Sequence, residues 1–323
     1  MIKKVLVTGG YGFIGSHFID LVIKNKIRVI NIDNLSKGSN LKNLNYKSKY
    51  YKFYKVSINN NKIINEIINF EEPEAIVNFA AETHVDRSIK KPMDFIKTNV
   101  NGLTNIALAY KNFLNKNKKN KYKFIQISTD EVYGSTKNKP FIETDNLKPN
   151  SPYSSSKTSA DLILRSLDKT FNFKSIILRP SNNFGPRQFE EKLIPLSLMK
   201  LKNRKKIPIY GDGKNRREWF YVKDCVKTIF NILKSNIYTG IFNIGSANII
   251  SNLELITLLC KKYTKKNKSN NLIISKYIEF VDDRPGHDFM YKLNLKKIKK
   301  LGLLSNSNFE RNINQTISYY KNK

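Results

Sequence analysis

The sequence predicts an α/β protein built on a doubly wound parallel sheet, followed by a smaller α/β domain. Through the first half of the chain, short apolar runs alternate with stretches in which apolar residues recur at helical spacing. This alternation calls for a parallel sheet covered by helices on both faces. It breaks down after about residue 180, and a chain of 323 residues is longer than one hydrophobic core normally serves. We therefore predict a cofactor-binding domain with the catalytic residues over 1–180 and a substrate domain over 181–323, with part of 218–246 packing back onto the first.

The predicted strands of the first domain are the runs KKVLVTG, RVINIDN, YYKFYKV, EAIVNFAAE, KFIQIST and KSIILRP. Helical spacing is found between them in IGSHFIDLVIKNK, KIINEIINFE, FIKTNVNGLTNIALAYKNFL and SSSKTSADLILRSLDKTF. In the second half, NLELITLLCKKYTKK is a weaker helical run, and TKKNKSNN (264–271) is typical of an exposed loop.

Composition limits the partners that the chain is expected to have. The net charge of +32 comes from lysines scattered among asparagines and isoleucines, which favours a solvated surface over a nucleic-acid or membrane site. No stretch approaches the roughly 18 consecutive apolar residues of a membrane helix, and the apolar run in MIKKVLVTGG is too short for a signal peptide. Cys225 and Cys260 stand far apart without a metal-binding pattern, so we predict buried thiols and no metal. A cytoplasmic location is expected.

A glycine-rich turn at the end of the first strand indicates a dinucleotide site. Gly9, Gly12 and Gly15 are spaced G-x-x-G-x-x-G between a predicted strand and a predicted helix. Glycine there permits a tight turn and lets backbone N–H groups approach a pyrophosphate. Asp33, at the end of the second strand, is placed to hydrogen-bond ribose hydroxyls and to repel a 2′-phosphate, so the pattern favours NAD over NADP.

Two further motifs indicate proton chemistry. In SPYSSSKTSAD, Tyr153 and Lys157 are four residues apart at the start of a helix, which places both on one face. A neighbouring ammonium and a nicotinamide cation both favour the phenolate form of a tyrosine. In ISTDEVYGS, Thr129 precedes two adjacent carboxyl groups, Asp130 and Glu131, at the end of a strand, and folding alone does not explain this choice.

Together these motifs resemble the extended short-chain dehydrogenase/reductases, and within them the dTDP-glucose 4,6-dehydratase family. The likeness is carried by VTGGYGFIGSHF, NFAAETHVDRSI, STDEVYGS, SPYSSSKTSAD, LRPSNNFGPRQFEEKLIP, PIYGDGKNRREWFYVKD and DDRPGHD, and it extends to about residue 288. The resemblance implies a Rossmann domain, bound NAD and a nucleoside-diphosphate glucose as substrate.

The resemblance also implies a reaction in which dTDP-glucose becomes dTDP-4-keto-6-deoxyglucose and water, in deoxysugar (rhamnose-type) biosynthesis. Tyr153 would assist oxidation at C4, Glu131 would remove the C5 proton, and Asp130 would protonate the departing 6-hydroxyl. Two neighbouring carboxyl groups suit this reaction because one must be ionised while the other is neutral. Thr129 would hydrogen-bond the 4-oxygen.

Carried over position by position, the resemblance implies two sets of contacts. The cofactor set is Gly9, Gly12, Phe13, Ile14, Gly15, Asp33, Asn34, Ser57, Ile58, Ala80, Ala81, Thr98, Tyr153, Lys157 and Asn183. The substrate set is Thr83, Thr129, Asn182, Lys192, Leu193, Pro208, Tyr210, Arg217, Asn252, Arg284 and His287. The chain departs from the family pattern at Ser57 (commonly aspartate), Thr83 (serine) and Phe184 (tyrosine), and FMYKL follows DDRPGHD where arginine is frequent.

Several alternatives stay open. A UDP-glucose 4,6-dehydratase, or a related NAD-dependent nucleotide-sugar epimerase or decarboxylase, would share most of these motifs. A nucleic-acid or membrane-surface binder would exploit the charge of +32, and a catalytically inactive NAD-binding regulator would keep only the glycine turn. The resemblance further implies a homodimer, paired through the long helices that begin near Thr98 and Tyr153.

Overall fold

A computed structural model describes residues 2–46, 48–265 and 269–323. Its strands are β1 (Lys4–Thr8), β2 (Arg28–Asp33), β3 (Tyr51–Lys55), β4 (Ala75–Asn78), β5 (Lys123–Ile127), β6 (Ile176–Pro180), β7 (Asn182–Phe184), β8 (Ile207–Tyr210), β9 (Arg216–Tyr221), β10 (Gly240–Ile244), β11 (Ile249–Ser251) and β12 (Ile278–Val281). Its helices are α1 (Phe13–Lys24), α2 (Asn61–Glu71), α3 (Val85–Lys90), α4 (Pro92–Phe95), α5 (Leu103–Lys116), α6 (Pro152–Phe171), α7 (Leu193–Lys202), α8 (Val222–Lys234), α9 (Asn252–Thr264), α10 (Asn270–Tyr277), α11 (Lys296–Lys300) and α12 (Phe309–Asn322). Leu41–Asn43 and Asp130–Tyr133 form 3₁₀ turns, and Ile96–Gly102 is a π-helical segment between α4 and α5.

The main sheet has seven parallel strands in the order β10-β6-β5-β4-β1-β2-β3. The order reverses at β1, which lies between β2 and β4, so a crevice opens there beyond the carboxyl ends of the strands. This arrangement confirms the predicted doubly wound α/β fold and its first six strands. The seventh strand, β10, was not among the predicted strands.

Helices cover both faces of the sheet, and the strand residues alternate between them. Val5 and Val7 belong to the apolar core on the side of α1 and α8, whereas Leu6 belongs to the core on the side of α2, α5 and α6. All three side chains are fully buried. Burial of both faces explains why the strands read as continuous apolar runs.

The second half of the chain forms smaller units beside this sheet. Strands β11, β9 and β7 make one sheet, and β12 pairs with β8 in another. Strand β10 returns to the main sheet, and α8 packs against α1. The division into domains at residue 180 stays a prediction.

The tract 264–271 was predicted to be an exposed loop, and this prediction is wrong at its ends. Thr264 ends α9 and Asn270 begins α10, while residues 266–268 lie outside the described residues. Ser269 accepts a hydrogen bond from the backbone N–H of Leu272 and so caps α10, a short-range signal that the lysine-rich composition obscured.

The helix that carries Tyr153 has a well-defined start. Ser151 and Ser154 form a reciprocal capping box, and Pro152 occupies the first helical position. These contacts fix Tyr153 in the first turn of α6 and Lys157 one turn later. None of the helices in the described ranges combines the length and apolar character needed to cross a membrane.

Candidate active site

The glycine-rich turn forms a backbone cradle at the start of α1. A Cβ on Gly9, whose φ is +67°, would lie 2.7 Å from the backbone nitrogen of Ala80, and a Cβ on Gly15 would lie 2.4 Å from the carbonyl oxygen of Gly9. Helix α1 begins at Phe13 with no side-chain cap, so its first N–H groups have no acceptor within the helix. An uncapped helix start behind a side-chain-free turn is suited to a diphosphate group.

Asp33 closes the ribose end of this cradle. The side chain is buried and accepts hydrogen bonds from the backbone N–H groups of Tyr11 (2.9 Å) and Leu35 (2.8 Å) and from the hydroxyl of Ser39 (2.9 Å). Since a carboxylate has about four acceptor positions, room remains for a hydroxyl donor from a ligand. These contacts hold a negative charge at a place where a 2′-phosphate would be repelled.

The predicted cofactor residues line a single cleft. It is bordered by Gly9, Gly12, Phe13, Ile14, Gly15, Asp33, Asn34, Ser57, Ile58, Ala80, Ala81, Thr98, Tyr153, Lys157 and Asn183. Thr83, Thr129, Asp130, Glu131, Asn182 and Lys192 line the same cleft. Oδ1 of Asn182 and Oε1 of Gln188 are buried without a hydrogen-bond partner in the described part of the chain, so polar groups are left for a ligand. The residues present therefore fit NAD.

Asp130 and Glu131 reach the cleft because β5 ends immediately before them. Thr129, in extended conformation, accepts a hydrogen bond from the backbone N–H of Glu131 (3.3 Å), and its hydroxyl donates to Oδ1 of Asp130 (3.2 Å). Asp130 is only 2% exposed, and its Oδ2 has no hydrogen-bond partner within the described ranges. The turn therefore places the Asp130 carboxyl group in a buried position where only one of its two oxygens accepts a hydrogen bond.

The two carboxyl groups have different electrostatic surroundings. Burial raises the pKa of Asp130 well above its usual range, and the negative charges of Glu131 and Glu218 raise it further. Burial also raises the pKa of Glu131, but Arg284, Arg217 and Lys192 all lower it. Arg217 also lowers the pKa of Asp130, but burial and the two carboxylates outweigh it, whereas three cations oppose burial at Glu131. Asp130 therefore holds a proton more readily than Glu131.

Tyr153 and Lys157 are buried beside these acids. Burial raises the Tyr153 pKa above its usual range and the charge of Glu131 raises it further, while a contact with the Thr129 hydroxyl lowers it. Lys157 donates a hydrogen bond from Nζ to the Ile127 carbonyl, and burial lowers its pKa to about 8. The protein alone therefore keeps Tyr153 as a phenol, and the expected phenolate requires a further positive charge beside the ring.

A second group of predicted substrate residues lies outside the cleft lining. The guanidinium of Arg217 stacks on Tyr291, 4.6 Å from the ring centre, and donates to the Asp288 carbonyl (3.0 Å). Arg284 lies 3.6 Å from Asp86, which also accepts a hydrogen bond from the Tyr210 hydroxyl (3.3 Å). The charges of both arginines lower the pKa of Glu131, so this cationic group acts electrostatically on the carboxyl pair.

The remaining predicted substrate residues are more dispersed. Leu193 is the first residue of α7, Pro208 lies in β8 opposite Glu279, and His287 pairs with Asp283 at 2.6 Å. Asn252 begins α9 and donates its backbone N–H to the Asn215 carbonyl (3.0 Å). None of these four lines the cleft, and their assignment to the substrate stays a prediction.

Three of the departures from the family pattern have a structural setting. The Ser57 hydroxyl accepts a hydrogen bond from the Asn59 N–H at 3.2 Å. Phe184 is fully buried among Trp219, Tyr221 and Phe309, so its ring takes part in an aromatic cluster that needs no hydroxyl. Thr83 is exposed, and its carbonyl accepts a hydrogen bond from the Lys192 ammonium at 2.9 Å.

Sequence reasoning missed residues that act through side-chain hydrogen bonds. Asn99, in the π-helical segment, donates to the Ser156 hydroxyl (2.9 Å) and exchanges two hydrogen bonds with the Glu82 backbone (2.8 and 3.0 Å). Gln188 lines the cleft as well. Asn99 lies in none of the stretches that carry the family likeness, and Gln188 lies in one of them but was not assigned a contact. His84 caps α3 by accepting the Arg87 N–H (3.3 Å).

No group of three histidine, cysteine or acidic side chains in the described residues is arranged to hold a metal ion.

Comparisons with known proteins agree with this geometry. The family model described as GDP-mannose 4,6 dehydratase matches residues 6–316. The chain is 37% identical to a dTDP-glucose 4,6-dehydratase of Neisseria gonorrhoeae, over 98% of this chain and 95% of the relative. It is 36% identical to a dTDP-glucose 4,6-dehydratase of Escherichia coli, over 99% of this chain and 94% of the relative.

Solved structures give the same result. The crystal structure of DesIV, a dTDP-glucose 4,6-dehydratase from Streptomyces venezuelae with NAD bound, has a TM-score of 0.91 at 33% identity and covers 99% of this chain and 97% of its own. A UDP-glucose 4-epimerase from Thermotoga maritima has a TM-score of 0.87 at 29% identity, with 99% of both chains covered. The fold is that of an extended short-chain dehydrogenase/reductase that acts on nucleotide sugars. The chain belongs to the nucleotide-sugar 4,6-dehydratase family, and these curated relatives are dTDP-glucose 4,6-dehydratases.

We predict that Gly15→Ala weakens NAD binding by about tenfold or more, because the added Cβ forces the Gly9 carbonyl out of the cradle. Gly302→Ala is the control for adding a Cβ outside the cradle: no atom lies within 4 Å of the new Cβ, although Gly302, unlike Gly15, has a positive φ of +65°. Calorimetric titration of both variants with NAD, after removal of bound cofactor, measures the effect. Equal dissociation constants for the two variants would contradict the assignment of the cradle.

Proposed function

We propose that this protein is an NAD-dependent hydro-lyase that converts dTDP-glucose to dTDP-4-keto-6-deoxyglucose and water. The observation that carries the proposal is the pair of unlike carboxyl groups, Asp130 and Glu131, beside Tyr153 in the cofactor cleft. Removal of water across two carbons needs an acid and a base at once. A 4-epimerisation needs only oxidation and its reversal, so such a pair would be idle in an epimerase.

The chain offers a distinct group to each part of the cofactor. Gly9, Gly12 and Gly15 would hold the diphosphate, and Asp33 would hold the adenosine ribose. Bound NAD supplies a hydride acceptor for C4 of the sugar and a hydride donor for C6. Tyr153 and Lys157 border the same cleft, so the proton and hydride chemistry would share one enclosed space.

The first proton transfer falls to Tyr153. As the C4–H bond of the sugar is oxidised, the phenolate oxygen takes the proton of the 4-hydroxyl, and the 4-oxygen becomes a ketone. Thr129 contacts the Tyr153 phenol and would donate a hydrogen bond to the same 4-oxygen. The ketone withdraws electrons from the neighbouring carbon, which makes the C5 proton acidic.

In the elimination step, one member of the carboxyl pair would act as the base and the other as the acid. Glu131, whose ionised form three neighbouring cations favour against burial, would take the C5 proton, and Asp130, whose neutral form burial favours, would give its proton to the leaving 6-hydroxyl. The C5–H and C6–O bonds break, a C5–C6 double bond forms, and water leaves. Return of hydride to C6 and of a proton to C5 gives the 6-deoxy product, so the overall change is the loss of one water.

The cationic group beside Glu131 would bind the two phosphates of the substrate. Arg217 and Arg284 offer planar guanidinium groups suited to phosphate oxygens, and Lys192 adds a point charge at the cleft. One methyl group separates thymine from uracil and is worth only about 1 kcal/mol of burial. UDP-glucose is therefore the alternative substrate.

Incubation with dTDP-glucose tests the proposal directly. A 4-keto-6-deoxy product is expected, detected by the absorbance that develops in alkali and by a mass loss of one water. UDP- and CDP-glucose in parallel assays resolve the base preference. The absence of product from all three would overturn the proposed function, and a 4-epimer in its place would support an epimerase.

Variants of Asp130 and Glu131 should block different steps of the elimination. Glu131→Gln is expected to lower kcat by about 10²–10⁴-fold and to stop exchange of the C5 hydrogen with deuterated solvent. Asp130→Asn is expected to slow water loss comparably while C5 exchange continues, because only the proton donor is lost. NMR of the recovered sugar measures exchange, and Glu190→Gln, which neutralises an exposed carboxylate paired with Lys323, is the control. Identical exchange in both acid variants would refute this division.

We also propose that the protein is a homodimer. The family likeness supports this, and so do exposed apolar side chains on helices that pack side by side. Met93 in α4 is 69% exposed and Leu162 in α6 is 49% exposed, while α4 and α6 are in contact. Apolar groups on adjoining helices are suited to burial against a second copy.

Leu162→Glu is expected to convert the dimer to a monomer, because a charge would have to be buried at the interface. Leu272→Glu is the matched control, since Leu272 is also 49% exposed and lies on α10, which packs against α9 and β12. Light scattering after size-exclusion chromatography gives the mass of each variant. A Leu162→Glu protein that stays dimeric would show that another surface forms the contact.

A further inference from the structure

A buried ion pair, Asp161 with Arg179, lies close to Lys157 in the fold. Asp161 follows Lys157 by one turn of α6, on the same face of the helix, and is completely buried. Its Oδ2 accepts a hydrogen bond from Nε of Arg179, on β6, at 3.0 Å. Arg179 is itself only 1% exposed, so a full ion pair lies in the core of the protein.

Arg179 is held in place by contacts on its far side. Its Nη1 donates to the Tyr133 hydroxyl at 2.8 Å, and that hydroxyl donates to Oδ1 of Asn243 on β10 at 2.8 Å. The guanidinium also lies 4.8 Å from the centre of the Tyr133 ring. These bonds tie the ion pair to the last strands of the main sheet, so Asp161 cannot easily turn away from its position.

The Asp161 carboxylate can accept hydrogen bonds in addition to the one from Arg179. Oδ1 of Asp161 is buried and has no hydrogen-bond partner in the ranges that the structure describes. Lys157, one turn earlier, is 3% exposed and donates to the Ile127 carbonyl. Asp161 therefore forms an ion pair with one buried cation, Arg179, and lies one helical turn from a second, Lys157, without a direct ion pair to it among the described residues.

We propose that Asp161 is a positioning residue for the reaction: its buried carboxylate, one helical turn from Lys157, keeps the Lys157 ammonium group charged, while Arg179 fixes Asp161. The proposal rests on the function proposed for Tyr153 and Lys157. A buried ion pair adds little net stability over apolar residues of similar volume, so stability alone does not explain its place beside Lys157.

The charges around Lys157 support this role. Burial lowers the Lys157 pKa to about 8, and the charge of Asp161 acts in the opposite direction. A lysine with its pKa lowered is fully charged below that pKa and loses its charge as the pH rises through it. The titratable or charged groups that face this part of the core are Tyr153 and Asp161 on α6, Arg179 on β6, and Asp130 and Glu131 on the turn after β5.

The first test is the pH dependence of kcat. Asp161→Asn is expected to move the alkaline limit downward by about one pH unit, so that activity falls about fivefold at pH 8 and much less at pH 6.5. Because Arg179 would then be buried without its partner, Asp161→Asn with Arg179→Met is the second variant. It should fold and show the same downward shift, and Asp161→Glu should restore the limit. A uniform loss of activity with an unmoved limit in the double variant would overturn the proposal.

The second test does not depend on the reaction. In protein labelled with ¹³C at lysine Cε, the Lys157 signal is identified by its loss in Lys157→Arg, which separates it from Lys123, whose pKa burial also lowers to about 8. The Lys157 signal should titrate at lower pH in the double variant than in the unaltered protein. An unchanged titration would refute the role of Asp161 even in a protein with no dehydratase activity. A shifted titration without any turnover of dTDP-glucose would refute the proposed function alone.

Discussion

The chemistry of this protein depends on keeping ionisable side chains out of water at the carboxyl end of β5. Burial is the first cause of the altered pKa at Asp130, Glu131, Tyr153 and Lys157. Neighbouring charges then give different pKa values to Asp130 and Glu131, which burial alone would affect in the same way. Glu131 and Glu218 act together with burial at Asp130, whereas Arg284, Arg217 and Lys192 oppose burial at Glu131, so two adjacent residues of one turn differ in their tendency to hold a proton.

The parallel sheet makes this burial possible. Because the strand order reverses at β1, the ends of β1 and β4 leave a crevice in which the glycine cradle and the carboxyl pair border one cleft. The second half of the chain contributes the cations: Arg217 lies on β9 and Lys192 immediately before α7. A nucleotide sugar that bridges the two halves would therefore meet acids at its sugar and cations at its phosphates.

Local motifs predicted the parts of the site that depend on local backbone geometry. Gly9, Gly15 and Asp33 were recognisable because a tight turn, a helix start and a strand end are fixed by a few consecutive residues. The pairing of Asp161 with Arg179 joins residues 18 positions apart in the chain, and only the folded sheet brings them together. The Tyr153 pKa could not be predicted for a similar reason: spacing shows Lys157 four residues away, but the opposing effects of burial and Glu131 depend on the assembled site. Strand β10 was missed because GIFNI lies beyond the strand–helix alternation of the first half of the chain, and only the folded sheet pairs it with β6.

The large excess of lysine and arginine has little effect on the protonation of the groups in the site. A net charge of +32 favours ionised carboxylates in general, yet Asp130 is driven toward its neutral form. Charges on the surface are screened over about 8 Å at physiological ionic strength, whereas burial and the adjacent Glu131 act at contact distance. Local desolvation therefore outweighs the overall field for the acid. For a doubly charged diphosphate approaching from solvent the positive field is attractive, so the same surface would speed substrate encounter without disturbing the proton that Asp130 must hold.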